Sequence, residues 1–189
     1  MKKRFLLLAS LLFASSQFVA DACTSLLVGK DATVDGSTMI TYNADAYVLY
    51  GELYQSPAAD YPKGAMLDVY EWDTRKYLGK IPQVRHTYAT IGNMNEHQLA
   101  ITESTWGGRT ELMDTTAIMD YGSLIYITLQ RAKTAREAIK VMTDLVEKYG
   151  YCSTGESFSI ADPNEVWVME MISKGMEEKG AVWVAIRIP

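Results

Sequence analysis

Apolar positions along the chain fall into three patterns. Leu124, Ile127, Ala132, Ala135, Ile139, Met142, Leu145, Val146 and Tyr149 recur at helical spacing within residues 120–150, which predicts helix there. The pattern breaks near Lys133, where Thr134 and Glu137 have the spacing of a capping box. Two consecutive helices are expected, the second closed by Gly150. Elsewhere, short runs rich in β-formers lie between turn signals. Cys23 to Val28 and Ser37 to Tyr42 predict a hairpin across Gly29-Lys30-Asp31 and Asp35-Gly36. Val84 to Gly92 and Gln98 to Ser104 predict a strand pair joined by residues 93–97. Phe158 to Ala161 and Val166 to Met171 predict another hairpin around Asp162-Pro163-Asn164, and Ala181 to Ile186 a further strand. Tyr47 to Gln55 fits strand or loop. Residues 56–82, with Pro57, Pro62, Gly64, Gly79 and Pro82 among aromatics, predict a long loop or irregular hairpin. Those aromatics either border a substrate cleft or pack locally. Strands, then helices, then strands predict an α+β layered domain rather than a βαβ alternation.

The third pattern is at the start. Lys2-Lys3-Arg4 precedes a short apolar run from Leu6 to Phe13, and Ala20-Asp21-Ala22 has the A-x-A form of a cleavage site. Residues 1–22 are therefore expected to be a secretory signal peptide, with residues 23–189 as the exported domain. Cleavage after Ala22 makes Cys23 the first residue. It would then carry a nucleophile and a free α-amine together. Position alone leaves three readings open: this N-terminal nucleophile, an ordinary thiol left by cleavage a residue or two away, and a lipidated cysteine. A lipobox prefers Leu or Val three residues before the cysteine, where this chain has Ala20.

Composition narrows the classes. The chain has 189 residues, 48% hydrophobic and 22% charged, enough for one domain with a core of its own. A net charge of −5 without a Lys/Arg stripe argues against a nucleic-acid surface. No later apolar run approaches the roughly 20 residues of a membrane span. Cys23, Cys152, His86 and His97 are the cysteines and histidines, and their spacing matches no metal pattern, so neither metal nor cofactor is expected. Both cysteines are expected as free thiols, since a bridge would silence a nucleophilic Cys23; Cys152 then serves as a small apolar filler. The two histidines are expected to be structural or surface groups.

Cys23-Thr24-Ser25-Leu26-Leu27-Val28-Gly29-Lys30, followed by Asp35-Gly36-Ser37-Thr38-Met39-Ile40, resembles the N-terminus of the dipeptidase A-type cysteine dipeptidases. These are N-terminal-nucleophile hydrolases related to the secernins. Gly92-Asn93-Met94-Asn95-Glu96-His97, Arg131 to Ala138 and Gly155 to Asp162 extend the resemblance in order along the chain. It implies a four-layer αββα sandwich and a dipeptide or short-peptide substrate. It also implies an acyl-enzyme on Cys23, with the α-amine moving the proton. Asp45 is implied as the acidic residue that holds the amine and substrate, and Asn95 as an oxyanion donor, whose alternative is a plain turn residue. Glu156 and Ser157 match without a role that can be derived. Tyr42 stands where relatives commonly have Arg, and a phenol stabilises a thiolate less well than a guanidinium. Family members are usually well over twice this length, and residues 180–189 read as a strand with no closing element; an N-terminal fragment, incomplete at its C-terminus, is expected. An amidase acting on non-peptide amides and a lipid-anchored non-enzyme are the alternatives.

Overall fold

The computed structural model describes residues 23–45 and 51–189. The expected signal peptide and the start of the Tyr47–Gln55 segment lie outside the described residues. The chain runs through β1 (Leu27–Val28), β2 (Met39–Ile40), β3 (Gln55–Ser56), β4 (Ala59–Asp60), β5 (Met66–Tyr70), β6 (Tyr77–Pro82), β7 (His86–Thr87), β8 (Thr90–Ile91), β9 (Met94–Asn95) and β10 (Ala100–Gly107). Helices α1 (Tyr121–Leu129) and α2 (Ala135–Tyr149) follow, and β11 (Gly155–Ala161), β12 (Val166–Ser173) and β13 (Ala181–Ile188) complete it. Seven strands form one sheet in the order β13-β12-β11-β10-β9-β8-β3, antiparallel at every pairing. The α+β expectation holds as a large antiparallel sheet with two helices.

The two helices bury different faces because their sequences differ. In α2, Ala135, Ala138, Met142, Leu145 and Val146 are buried, while Lys140 and Asp144 pair on the exposed side at 2.7 Å. This is an amphipathic helix laid on a sheet. Helix α1 is buried nearly all round, through Leu124, Ile125, Ile127, Thr128 and Leu129. The sheet answers with Ile101, Phe158, Ile160, Met169 and Met171, all closed to solvent, in one core with both helices. Thr134 caps α2 by accepting from Glu137 N at 3.2 Å. Glu137 returns its carboxylate to Lys133 N at 2.8 Å, one residue earlier than an ordinary capping box. Gly150, at φ 77°, takes the left-handed turn that ends the helix.

Two segments depart from the expected pattern. The strand pair predicted on either side of residues 93–97 is three strands: β8 pairs with β9 and β9 with β10, Met94 facing both Ile91 and Ala100. Gly92, at φ 51°, closes the tight Gly92-Asn93 turn that makes this possible. Residues 56–82 contain a β5–β6 hairpin with a register shift at Val69/Tyr70. Its aromatics pack locally: Trp72 stacks on Tyr126 of α1 at 4.4 Å, with Arg75 4.7 Å from the Trp72 ring.

The N-terminal hairpin forms as expected, with Leu27 opposite Ile40 and Val28 opposite Met39. A Thr24–Asn43 bridge extends it toward Cys23. It is fastened to the β11–β12 turn, where Thr38 Oγ1 donates to Asp162 O at 2.7 Å and Lys30 Nζ to Asn164 Oδ1 at 3.4 Å.

Gly122 supplies a test of this packing. A Cβ there would lie 2.4 Å from Trp72. Glycine to alanine in an open helix gains about 1 kcal/mol, but here overpacking should reverse the sign. Gly122→Ala is expected to lose about 1–3 kcal/mol in denaturant unfolding; a gain would show that Trp72 does not press on α1.

Candidate active site

Cys23 stands at the open end of the hairpin, half-buried, and meets β10 beyond the point where β9 leaves it. Strand β9 pairs with β10 only at Ala100. Farther along β10, Ser104 Oγ donates to Cys23 O at 2.7 Å. Cys23 Sγ lies 3.9 Å from Tyr42 Oη and 3.9 Å from Glu103 Oε1. Tyr42 donates its own hydroxyl to Glu103 Oε1 at 2.6 Å. Thiol, phenol and carboxylate thus form a closed triangle, built by β10 and the two arms of the hairpin.

Behind Glu103 lies a second carboxyl. The register of β10 and β11 sets Thr105 opposite Glu156 and Glu103 opposite Phe158. Thr105 Oγ1 is 2.9 Å from Glu156 Oε1 and 3.4 Å from Glu103 Oε2. Glu103 and Glu156 are both almost wholly buried, and Glu156 Oε2 has no donor among the described residues. A buried carboxylate oxygen without a donor is costly, and a proton removes the cost. Burial, then the neighbouring Glu103, push the Glu156 carboxyl up to about 9. Glu156 therefore holds the proton, and Glu103 acts as the acceptor for Tyr42.

These neighbours act on Cys23. Burial and the charge of Glu103 raise its thiol above the usual range, with a backbone hydrogen bond at Asp45 and the Tyr42 hydroxyl pulling the other way. No Arg or Lys stands among the groups that move it, so nothing cationic favours the thiolate. Burial and the bond to Glu103 hold the Tyr42 phenol far above its ordinary value; it is a donor and not a base.

The three expected site residues separate. Asp45 belongs to the Cys23 end of the hairpin: it is exposed and accepts from Thr24 Oγ1 at 3.4 Å and from Asn43 Nδ2. Asn95 does not join them. It is buried, its Nδ2 donates to Leu129 O and Ala132 O at 2.7 Å each, and its Oδ1 accepts from His97 N and Leu99 N. With both amide hydrogens committed, it has none to offer an oxyanion; it ties the β9–β10 turn to the end of α1. Glu103, Ser104 and Thr105 are not among the sequence candidates; in the sequence Tyr42 stands out only as a departure from Arg, and Glu156 only as a match. The neighbours of Glu103 in sequence carry no signal of the place that the β10–β11 register gives it.

The remaining candidates lie apart. His86 pairs with exposed Asp60 at 2.8 Å, and His97 packs edge-on against Tyr88 at 4.5 Å. Cys23 and Cys152 are free. Cys152 Sγ donates to Met119 O at 3.3 Å, and burial pushes its thiol up to about 12, so it is more than an apolar filler but poorly reactive. Among the described residues, no group of three or more His, Cys, Asp or Glu is placed to hold a metal ion, and no helix is long and apolar enough to cross a membrane. A cavity of about 440 Å³ opens beside Tyr42, bordered by Thr38, Ile40, Met94, Ala100 and Thr102.

The model of the peptidase family C69 matches residues 22–56 and 48–189. The chain belongs to peptidase family C69. It is 31% identical over 188 residues to a "Probable dipeptidase" of Latilactobacillus sakei, covering 89% of this chain and 37% of that protein. To a "Probable dipeptidase" of Salmonella dublin it is 26% identical, covering 99% of this chain and 45% of the relative. To "Dipeptidase A" of Lactobacillus helveticus it is 30% identical, covering 88% and 38%. The chain thus spans about two fifths of the length of these relatives. As a C69 member it carries Cys23 in the matched region, beside acidic neighbours rather than basic ones.

Two outcomes test the site. Asn95→Ala removes four hydrogen bonds, three of them buried, and should cost about 2–4 kcal/mol of stability; an unchanged melting temperature would remove its anchoring role. For Glu156, the unfolded chain releases the proton near pH 4.3 while the folded protein keeps it to about 9. Stability therefore falls as pH rises through that window. Glu156→Gln, which has no proton to lose, should gain at least about 2 °C in Tm relative to the parent between about pH 5 and pH 8.5. A constant difference would mean that Glu156 is ionised in the folded state.

Proposed function

We propose that this chain carries the nucleophile of an exported cysteine dipeptidase, cleaving dipeptides or short peptides. The observation that carries it is the placement of Cys23 Sγ at the joint between hairpin and β10, 3.9 Å from both Tyr42 Oη and Glu103 Oε1. Membership of family C69 and the dipeptidase names of the relatives support the reaction type. In this reading residues 1–22 are removed on export and Cys23 becomes the first residue. The sheet and helix pair form one half of an N-terminal-nucleophile αββα sandwich.

The chemistry follows from what surrounds the thiol. No histidine is bonded to Cys23, and Tyr42 keeps its proton, so the α-amine of Cys23 is the base. Its pKa near ~8 leaves part of it neutral at working pH. The thiol proton passes to that amine as Sγ bonds to the scissile carbonyl carbon. The same proton then goes to the leaving amine as the C–N bond breaks. Water, giving its proton back to the α-amine, hydrolyses the thioester and frees Cys23. Asp45, at the hairpin end with Thr24 and Asn43, orients the amine. The oxyanion donor is not Asn95, whose amide hydrogens are taken. The cavity beside Tyr42 has the size for a substrate side chain.

The test uses the full-length protein. Its intact mass should correspond to a chain beginning at an unmodified Cys23. Cys23→Ala should lower dipeptide turnover by at least about 10³-fold, and Cys23→Ser should also fall sharply. Mass for two acyl chains on Cys23, or full activity in both variants, would overturn the proposal.

A further inference from the structure

One face of β10 joins the cavity beside Tyr42 to the nucleophile. Ile101 belongs to the core with the helices, so Ala100, Thr102 and Ser104 share the opposite face of the strand. Ser104 holds Cys23 O at 2.7 Å, while Ala100 and Thr102 line the cavity. Alternate residues on a strand lie about 6.5–7 Å apart, so the cavity begins one such step from the position that holds Cys23. Tyr42 bridges the same gap from the hairpin: it borders the cavity, and its hydroxyl stands 3.9 Å from Sγ. A peptide advances about 3.3–3.6 Å per residue, so a substrate whose carbonyl carbon meets Sγ brings a neighbouring side chain to this opening.

The apolar lining comes from four strands: Met39 and Ile40 of β2, Met94 of β9, Ala100 of β10 and Ala161 of β11. The polar lining is largely committed elsewhere. Thr38 Oγ1 donates to Asp162 O at 2.7 Å, Asn93 Nδ2 to Ile101 O at 2.8 Å, and Tyr42 to Glu103. Thr102 Oγ1 is buried without a partner among the described residues, but one neutral hydroxyl does not replace the hydration of a carboxylate or an ammonium. The lining holds no Asp, Glu, Lys, Arg or His. At about 440 Å³ the space is that of a small-molecule site, so size alone rejects no single side chain. We infer that this cavity is the side-chain subsite of the substrate, and that it selects apolar side chains beside the scissile bond and excludes acidic and basic ones alike. This selection presupposes the peptidase activity proposed above and adds a side-chain preference to it. It acts by desolvation: an entering charge loses water and meets no counter-charge, whereas a leucine side chain exchanges water for apolar walls. Met39 and Met94, partly exposed at the rim, are flexible enough to close on different apolar shapes.

The experiment measures kcat/KM of the full-length protein on two series of dipeptides: leucyl-, glutamyl- and lysyl-alanine, and alanyl-leucine, -glutamate and -lysine. In at least one series the parent should prefer leucine over both charged residues by at least about 10-fold. The two signs separate desolvation from the charge of Glu103, which would repel an acidic side chain but attract a basic one. Met94→Lys sets a cation at the rim and should narrow the gap between leucine and glutamate by at least about 10-fold, without narrowing the gap to lysine. Met39→Lys, on the facing hairpin, should do the same if Met94→Lys does not fold. Calorimetric binding of the same dipeptides to Cys23→Ala, with and without the rim lysine, gives the comparison without turnover. No preference in the parent, discrimination against glutamate alone, or a preference unmoved by either lysine would make the cavity a packing gap only and overturn the assignment, leaving the peptidase intact. Failure of the parent to hydrolyse any of the six dipeptides would instead overturn the peptidase reading.

Discussion

Two carboxyl groups buried side by side constrain everything around Cys23. Glu103 and Glu156 come from neighbouring strands, and water cannot solvate them. The solution is unequal: Glu156 takes the proton, and Glu103 takes hydrogen bonds from the side chains at its rim. This division fixes Tyr42, since its phenol must stay protonated to donate. It fixes Thr105, which touches both carboxyls. It also sets the terms for the thiol, which stands beside a negative charge and gains no help from a cation.

The hairpin holds the thiol in that setting. Residues 23–43 pair with themselves and then dock at two separate places, Ser104 on β10 and Asp162 at the β11–β12 turn. The seven-stranded sheet is the rigid body between those points, and α1 and α2 give it the buried face that keeps it rigid.

Much of the fold was legible in the sequence because it is written locally. The helical spacing from Leu124 to Tyr149, the cap at Thr134 and the turn at Gly150 each act over a few residues, as do the hairpins at Asp35-Gly36 and Asp162-Pro163-Asn164. Strand β9 was not legible: two residues, Met94 and Asn95, show no periodicity, and their strand exists because Gly92 turns the chain back. Within the site, Cys23 and Asp45 lie on the hairpin that the motif described. Asn95 has the residue type of an oxyanion donor, but its environment is a helix end with two bare carbonyls, and turn chemistry prevailed. Glu103 could not be found from its own neighbours, where a charge in Ala100-Ile101-Thr102-Glu103 reads as the solvent side of a strand. Its burial comes from distant segments, the pairing with β11 more than fifty residues on and the hairpin that sets Cys23 and Tyr42 against its carboxylate.

Asp162 accepts from Ala135 N at the start of α2 and from Asn164 N and Glu165 N in its own turn, while its carbonyl receives Thr38 of the hairpin. One residue thus belongs to three elements at once. The hairpin that bears Cys23 is therefore not a detachable module. Grafting a relative's first twenty residues onto this scaffold would bring a foreign strand to a socket shaped jointly by a helix and a turn far along the chain. Any recombination between family members would have to move Thr38 and the Asp162 turn together as one inherited unit.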